Sequence, residues 1–289
     1  MSKTQRSVPL PSAESPGVVA RPAWRLFADT TEAFTANLIE EVPVALIYNG
    51  VSHAVMLASP GDLADFALGF SLSEGIIESP QDLLDLELAP AGEGIEVRLT
   101  ITARRFAGLK DRRRTLAGRS GCGLCGVESL AEAMRPLPQP AVPTFLTLRA
   151  IRRALDWLPP LQQLNKMAGA VHAAAWVDPD GLIQHLAEDV GRHNAFDKVI
   201  GAMARRRGGR PPGFALLTSR LSYELVQKAA TTGISALVAI SAPTALAIEA
   251  ATRAGICVVA LARADSVSVY AHPERVIDLN EAKACNPTG

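Results

Sequence analysis

Cysteine is scarce in this chain, with four in 289 residues at positions 122, 125, 257 and 285. That number and uneven placement exclude a disulfide framework for a protein of this size and fit a reducing compartment, so a cytoplasmic protein is expected. An excess of either charge is also missing: Lys+Arg and Asp+Glu stand at 29 each. A balanced chain does not attract nucleic acid as a whole, so any anion site must be local. The first twenty-odd residues lack the apolar core of a signal peptide, and no nucleic-acid partner or membrane span is expected. The one long uncharged stretch, 229–248, is broken by Thr231, Thr232, Gly233, Ser241 and Pro243, which suits buried strand, turn and helix rather than a spanning segment. There is no Gly-x-Gly-x-x-Gly and no Gly-x-x-x-x-Gly-Lys-Ser/Thr, so a dinucleotide or nucleoside triphosphate held by those loops is not supported. No Ser-His-Asp arrangement, no carboxylate pair with a glycosidase signature and no internal repeat can be read from the spacing.

What the chain does have is Gly121-Cys122-Gly123-Leu124-Cys125-Gly126, with Arg112, Arg113, Arg114 and Arg119 just upstream. Glycines remove the side chains that would shield the sulfurs, and nearby guanidiniums favour the nucleophilic thiolate. Four chemistries compete for such a pair. A structural zinc site needs two more ligands, but Cys257 falls in an apolar strand pattern and Cys285 lies near the end, so no metal site is expected. A thioredoxin-like dithiol needs a core strand before the pair, and here a basic loop is expected. Two unreactive surface thiols and a sulfur carrier, in which one thiolate accepts sulfane sulfur as a persulfide, remain open.

At 48% hydrophobic and 20% charged residues, the chain can build one large core or two ordinary ones. Residues 1–22 are expected to be a disordered tail, 23–135 a smaller α+β domain ending in the cysteine loop, 136–146 a proline-rich linker and 147–289 a larger α/β domain. In the smaller domain, 42–48 and 51–57 flank Asn49-Gly50, a hairpin signal. Ser59 and Pro60 then open a helix in which Leu63, Phe66, Ala67 and Phe70 repeat at helical spacing. Short strands are expected at 86–88 and 95–102. In the larger domain a second hairpin spans 170–186. Helices at 192–204, 222–232 and 244–254 then alternate with strands at 214–218, 236–240 and 256–261, the pattern of a parallel three-layer αβα sheet.

Ligands of such sheets bind beyond the carboxyl ends of the strands, here near Ser219, Ser241 and Ala262. Glu188-Asp189-Val190-Gly191-Arg192-His193-Asn194 opens a helix where backbone N–H groups and Arg192 can hold an anion, although its carboxylates can equally cap that helix. Thr218-Ser219-Arg220-Leu221-Ser222-Tyr223-Glu224 has the same form, with Ser222 as a plain N-cap the alternative. His172 reads more readily as a core histidine than as a ligand.

Several segments together resemble one family, the formate dehydrogenase accessory sulfurtransferases of FdhD type. The resemblance rests on Glu41-Val42-Pro43-Val44 with Asn49-Gly50, the run from Pro60 to Gly75, Cys122-Gly123-Leu124-Cys125-Gly126, and Glu188 to Asn194 with Asp197-Lys198. It continues through Thr218-Ser219-Arg220, Tyr223-Glu224, Gln227 to Ala230, Ser241 to Thr244, Tyr270 and His272-Pro273. It implies a larger domain of cytidine deaminase-like type, and a protein that takes persulfide sulfur from a cysteine desulfurase. It further implies delivery of that sulfur to the molybdenum bis-molybdopterin guanine dinucleotide cofactor for the formate dehydrogenase catalytic subunit, and a homodimer. By the same resemblance Cys122 carries the persulfide, Cys125 assists, and Leu261, Ala262, Arg263, Ala264, Asp265 and Ser266 form the cofactor-binding stretch with Ser219, Arg192 and His193. Where family members carry Gly-Arg, this chain has Ala264-Asp265, which would pair with base N–H groups and repel phosphate. The His-x-Glu and Pro-Cys-x-x-Cys signature of zinc deaminases is missing, so deamination is not expected. A non-catalytic chaperone for the cofactor and apo-enzyme is the alternative function.

Overall fold

A computed structural model describes residues 17–117 and 137–277 of the chain. Cys122, Cys125 and Cys285 lie outside the described residues. The described residues form a mixed α/β structure with a two-stranded, a four-stranded and a six-stranded sheet.

The first two strands, β1 (Val18–Leu26) and β2 (Thr31–Ile39), pair antiparallel along their whole length. The expected tail over 1–22 therefore overruns: backbone pairing orders the chain from Val18. β3 (Val42–Tyr48) and β4 (Val51–Ala58) form the hairpin expected from Asn49-Gly50, both of which hold positive φ, 47° and 79°. With β5 (Leu83–Ala91) and β6 (Gly94–Ile101) they make a sheet of order β4-β3-β6-β5, in which β3 and β6 run parallel. The basic stretch read as a loop is instead helical: α2 (Ala103–Ala117) includes Arg112 to Arg114 and anchors itself by burying Leu109.

Helix α1 (Leu63–Ser73) joins the two halves of the molecule. Its sequence is apolar nearly all round, and Leu63, Phe66, Ala67, Leu68, Gly69, Phe70, Ser71 and Ser73 are all buried. A helix of that kind must be covered on every side. One side packs on Val44, Leu46, Tyr48, Val97, Leu99 and Ile101 of the four-stranded sheet. The other meets α5 (Arg192–Ala204) so closely that a Cβ at Gly69 would lie 1.8 Å from the carbonyl oxygen of Asp197, and one at Gly201 1.9 Å from that of Asp65. Ser59 does not cap α1, whose N-cap is Asp62. It crosses to the segment that leads into α5 instead: its backbone N–H donates to Asp189 Oδ2 (3.1 Å) and its Oγ accepts from Val190 N–H (3.2 Å).

Helices α3 (Leu148–Leu161) and α4 (Gln163–Ala168) precede the six-stranded sheet, which has the order β12-β11-β10-β9-β7-β8. Strands β9 (Phe214–Leu217), β10 (Ala236–Ala239) and β11 (Cys257–Ala260) are parallel, as the alternating pattern predicts, with α6 (Tyr223–Thr231) and α7 (Ala245–Ala254) between them. β7 (His172–Val177), β8 (Ile183–Asp189) and β12 (Ser268–Ala271) run antiparallel to their neighbours, which makes the sheet mixed. Helices α5, α6 and α7 cover one face through Phe196, Val199, Leu225, Val226, Ala247 and Ala251. Helix α3 covers the other through Ile151, Ala154 and Leu158. No helix among the described residues is long and apolar enough to cross a membrane.

Candidate functional site

The strand register gathers chemistry at one edge of the large sheet. Ala174 of β7 faces Leu217 of β9, and His172 faces Asp189 of β8. The amino end of β7, the carboxyl ends of β8, β9, β10 and β11, and the amino ends of α5, α6 and α7 therefore open on the same side. The loops there are tied together: Leu221 N–H donates to Ala242 O (3.2 Å), Thr244 N–H to Leu221 O (3.0 Å) and Leu261 N–H to Ser241 O (3.3 Å).

The Glu188 to Asn194 segment divides its work. Glu188 accepts from the backbone N–H groups of Leu164 (2.8 Å) and Asn165 (2.9 Å). Buried Asp189 lies 2.7 Å from Lys198 Nζ and accepts from Gly191 N–H (2.8 Å) and Asn194 Nδ2 (3.0 Å). Asn194 also donates to Leu57 O of β4 (2.8 Å). For these three side chains the structural role is the one observed. Arg192 and His193 instead occupy the first turn of α5, each with 30% of its side chain exposed. Arg192 Nε is buried with no hydrogen-bond partner among the described residues.

Both histidines at this edge are held below the usual imidazole pKa. For His172 burial is the main cause, with Arg192 and Arg220 adding to it. For His193 burial again leads, Arg192 and Lys228 push the same way, and Glu224 opposes them. The fixed positive charge therefore comes from Arg192 and from exposed Arg220, which makes no ion pair among the described residues. Ser219 is buried and turns its hydroxyl onto Arg220 O (3.1 Å). The hydroxyl of Ser222, expected as a cap, goes to Glu224 Oε2 instead (3.2 Å).

The stretch Leu261 to Ser266 leaves β11 at this edge, with Leu261 at φ 50°. Arg263 is committed to the protein itself: its Nη1 donates to Ile240 O and to Ala262 O (3.0 Å), which locks the β11 exit to that of β10. Asp265 accepts from Ser266 Oγ (3.2 Å), and its carbonyl accepts from Arg152 (3.3 Å). The structure thus brings Ser219, Arg192, His193 and the 261–266 stretch to one edge, while orienting Arg263 inward. His172 and Glu224 join them, and only their partners far away in sequence reveal it. Cys257 is fully buried in β11, and burial pushes its thiol up to about 12, so it stays protonated and inert.

A cavity of about 330 Å³ lies at the far end of α5 and α6, between Leu72, Ile77, Ile200 and Met203. Its charged groups are already occupied, Arg210 by Thr232 O and Gly233 O (2.7 Å each) and Glu78 by Arg105. Among the described residues no group of His, Cys, Asp and Glu is arranged to hold a metal.

A sequence model of the FdhD/NarQ family matches residues 39–277. The chain is 49% identical over 240 residues to a sulfur carrier protein FdhD of Bordetella petrii, covering 83% of this chain and 86% of that protein. It is 52% identical over 241 residues to a sulfur carrier protein FdhD of Cupriavidus necator, covering 83% of each. A crystal structure described as a formate dehydrogenase accessory protein from Desulfotalea psychrophila superposes with a TM-score of 0.70 at 22% identity, covering 90% of this chain and all of that one.

Proposed function

Given that the chain belongs to the FdhD/NarQ family, we propose that it is a sulfurtransferase that carries persulfide sulfur from a cysteine desulfurase to the molybdenum bis-molybdopterin guanine dinucleotide cofactor of a formate dehydrogenase. In this reading the Cys122 thiolate attacks the outer sulfur of the donor's persulfide. The donor's S–S bond breaks, its thiolate leaves, and Cys122 holds the sulfane sulfur. Attack by Cys125 on the Cys122 sulfur then releases sulfide and leaves a Cys122–Cys125 disulfide, which a cellular dithiol must reduce before the next cycle. The two electrons that turn sulfane sulfur into sulfide thus come from the thiol pair.

The cofactor, as substrate, carries two guanine dinucleotides and hence diphosphate groups. The observation that supports a place for it is the strand-end edge, where, among the described residues, Arg192 offers a buried N–H without a hydrogen-bond partner and exposed Arg220 makes no ion pair. Guanidinium forks suit phosphate oxygens bidentately. Backbone N–H groups at the start of α5 add donors. Arg263, already engaged, serves as scaffold in this reading, and the exposed Asp265 faces the base rather than a phosphate. The larger domain's likeness to the cytidine deaminase fold, a cytoplasmic location and a homodimer belong to the same reading. The helix-flanked sheet with three parallel strands supports the first of these.

The alternative, a chaperone that only shelters the cofactor, uses the same edge and needs no thiol. Complementation of a strain lacking this protein separates the two. Formate dehydrogenase activity is expected to be absent with Cys122→Ala and with the Cys122→Ala/Cys125→Ala pair. Full activity of the double variant would replace the carrier by the chaperone.

A further inference from the structure

One oxygen at the strand-end edge is surrounded in a way that its own stability does not require. Glu224 Oε2, in the first turn of α6, lies 2.9 Å from His193 Nε2 and 4.0 Å from Arg192 Nη2, and accepts from the Ser222 hydroxyl at 3.2 Å. An imidazole and a guanidinium from α5 and the hydroxyl of the α6 N-cap converge on one anionic oxygen, but only the hydroxyl is aligned to donate to it: His193 Nε2, like Arg192 Nε, is buried with no hydrogen-bond partner among the described residues. A phosphate oxygen is recognised by that same donor set. The carboxylate is 60% exposed, while the groups that hold it are 30% exposed. Exposed ion pairs of this kind are weak and exchange readily with competing ions.

We propose that Glu224 is a built-in occupant of the anion site, a carboxylate that keeps Arg192 and His193 in the arrangement a ligand phosphate requires and that the ligand must displace. This rests on the reading of the edge as a phosphate site and adds a consequence for selectivity. A ligand with a single phosphate gains only the contacts that Glu224 gives up. A diphosphate reaches further, since a second phosphate can engage the exposed guanidinium of Arg220. Glu224 thereby makes the site discriminate in favour of diphosphates: Arg192 and His193 face it, Lys228 lies one turn further along α6, and Arg192 and Arg220 both act on His172. Glu224 is a positioning and selectivity residue here, not one that touches sulfur.

The test is calorimetric titration of the full chain, of Glu224→Gln and of Glu224→Ala with inorganic phosphate and with inorganic pyrophosphate at fixed ionic strength. It is paired with an NMR titration of the His193 ring. With the competing charge gone, Glu224→Gln is expected to bind phosphate about tenfold tighter and pyrophosphate about threefold tighter, so that selectivity narrows. The His193 pKa should fall, because Glu224 is the group that raises it. Unchanged or weaker binding of both anions by both variants, or a His193 titration that does not move, would overturn the role given to Glu224. If neither wild type nor either variant binds pyrophosphate, the phosphate site itself fails, which is a distinct result.

Discussion

The crossing of α1 and α5 sets the distance between the two halves of the molecule, and Gly69→Ala probes it directly. A Cβ there would lie 1.8 Å from Asp197 O and 2.8 Å from Gly201 N, about 1.6 Å short of ordinary contact at 3.4 Å. The obstructing atoms are backbone, so the helices must separate rather than a side chain rotate. Overpacking of this sort costs about 3 kcal/mol at its upper range, and alanine returns about 1 kcal/mol of helix propensity, leaving a net loss of about 2 kcal/mol or more. For a chain of this size that lowers the melting temperature by about 4–8 °C. Gly108→Ala is the matched control: it lies inside α2, with nothing within 4 Å of an added Cβ, and should gain about 1 kcal/mol. Thermal unfolding followed by circular dichroism reads both. A Gly69→Ala protein that melts at or above wild type would refute the claim that this crossing is close-packed through its glycines.

Two further predictions concern buried charge at the same junction. Lys198 Nζ sits 2.7 Å from Asp189 Oδ2 with both side chains almost wholly buried, so Lys198→Met leaves a buried carboxylate without its cation and should cost about 3 kcal/mol in urea unfolding; a loss below about 1 kcal/mol would show that the backbone donors to Asp189 suffice. Asp197 is buried and pushed up to about 6, mainly by burial and against the pull of Lys228 (2.9 Å) and the Ser73 hydroxyl (2.6 Å). Its folded pKa lies above the ordinary carboxylate value of about 3.9, so the folded state binds the proton more tightly. Stability contributed by this group therefore rises as pH falls from about 6 towards 4. Relative to Asp197→Asn, the wild type should gain stability across that window, and a difference that stays flat would contradict the assignment.

Much of this arrangement is legible in the sequence wherever the signal is local. Asn49-Gly50 fixes a hairpin because two residues supply the positive φ, and α5 runs over 192–204 as its apolar spacing requires. The ribbon β1–β2 escaped because most of its side chains are exposed and carry no core alternation. The arginines of 104–119 suggested a loop, yet arginine is a good helix former and α2 needs only a thin apolar stripe to dock. Ser59 resembles a cap in every local respect, and its partner Asp189 lies 130 residues away. Glu224 stands in a segment the sequence singles out, but its contacts are not legible there, since the imidazole and guanidinium near its Oε2 belong to a different helix. Arg263 shows the reverse error: it occupies the expected segment, but tertiary structure turns its guanidinium onto main-chain carbonyls.

The central claim is that sulfur travels on Cys122. Mass spectrometry of peptides from protein incubated with a cysteine desulfurase and cysteine tests it most directly. The account predicts one added sulfur atom on the peptide containing Cys122, lost in Cys122→Ala, and none on the peptide containing buried Cys257. Sulfur that still loads to the same extent in the Cys122→Ala protein, or that is found on Cys257, would contradict it.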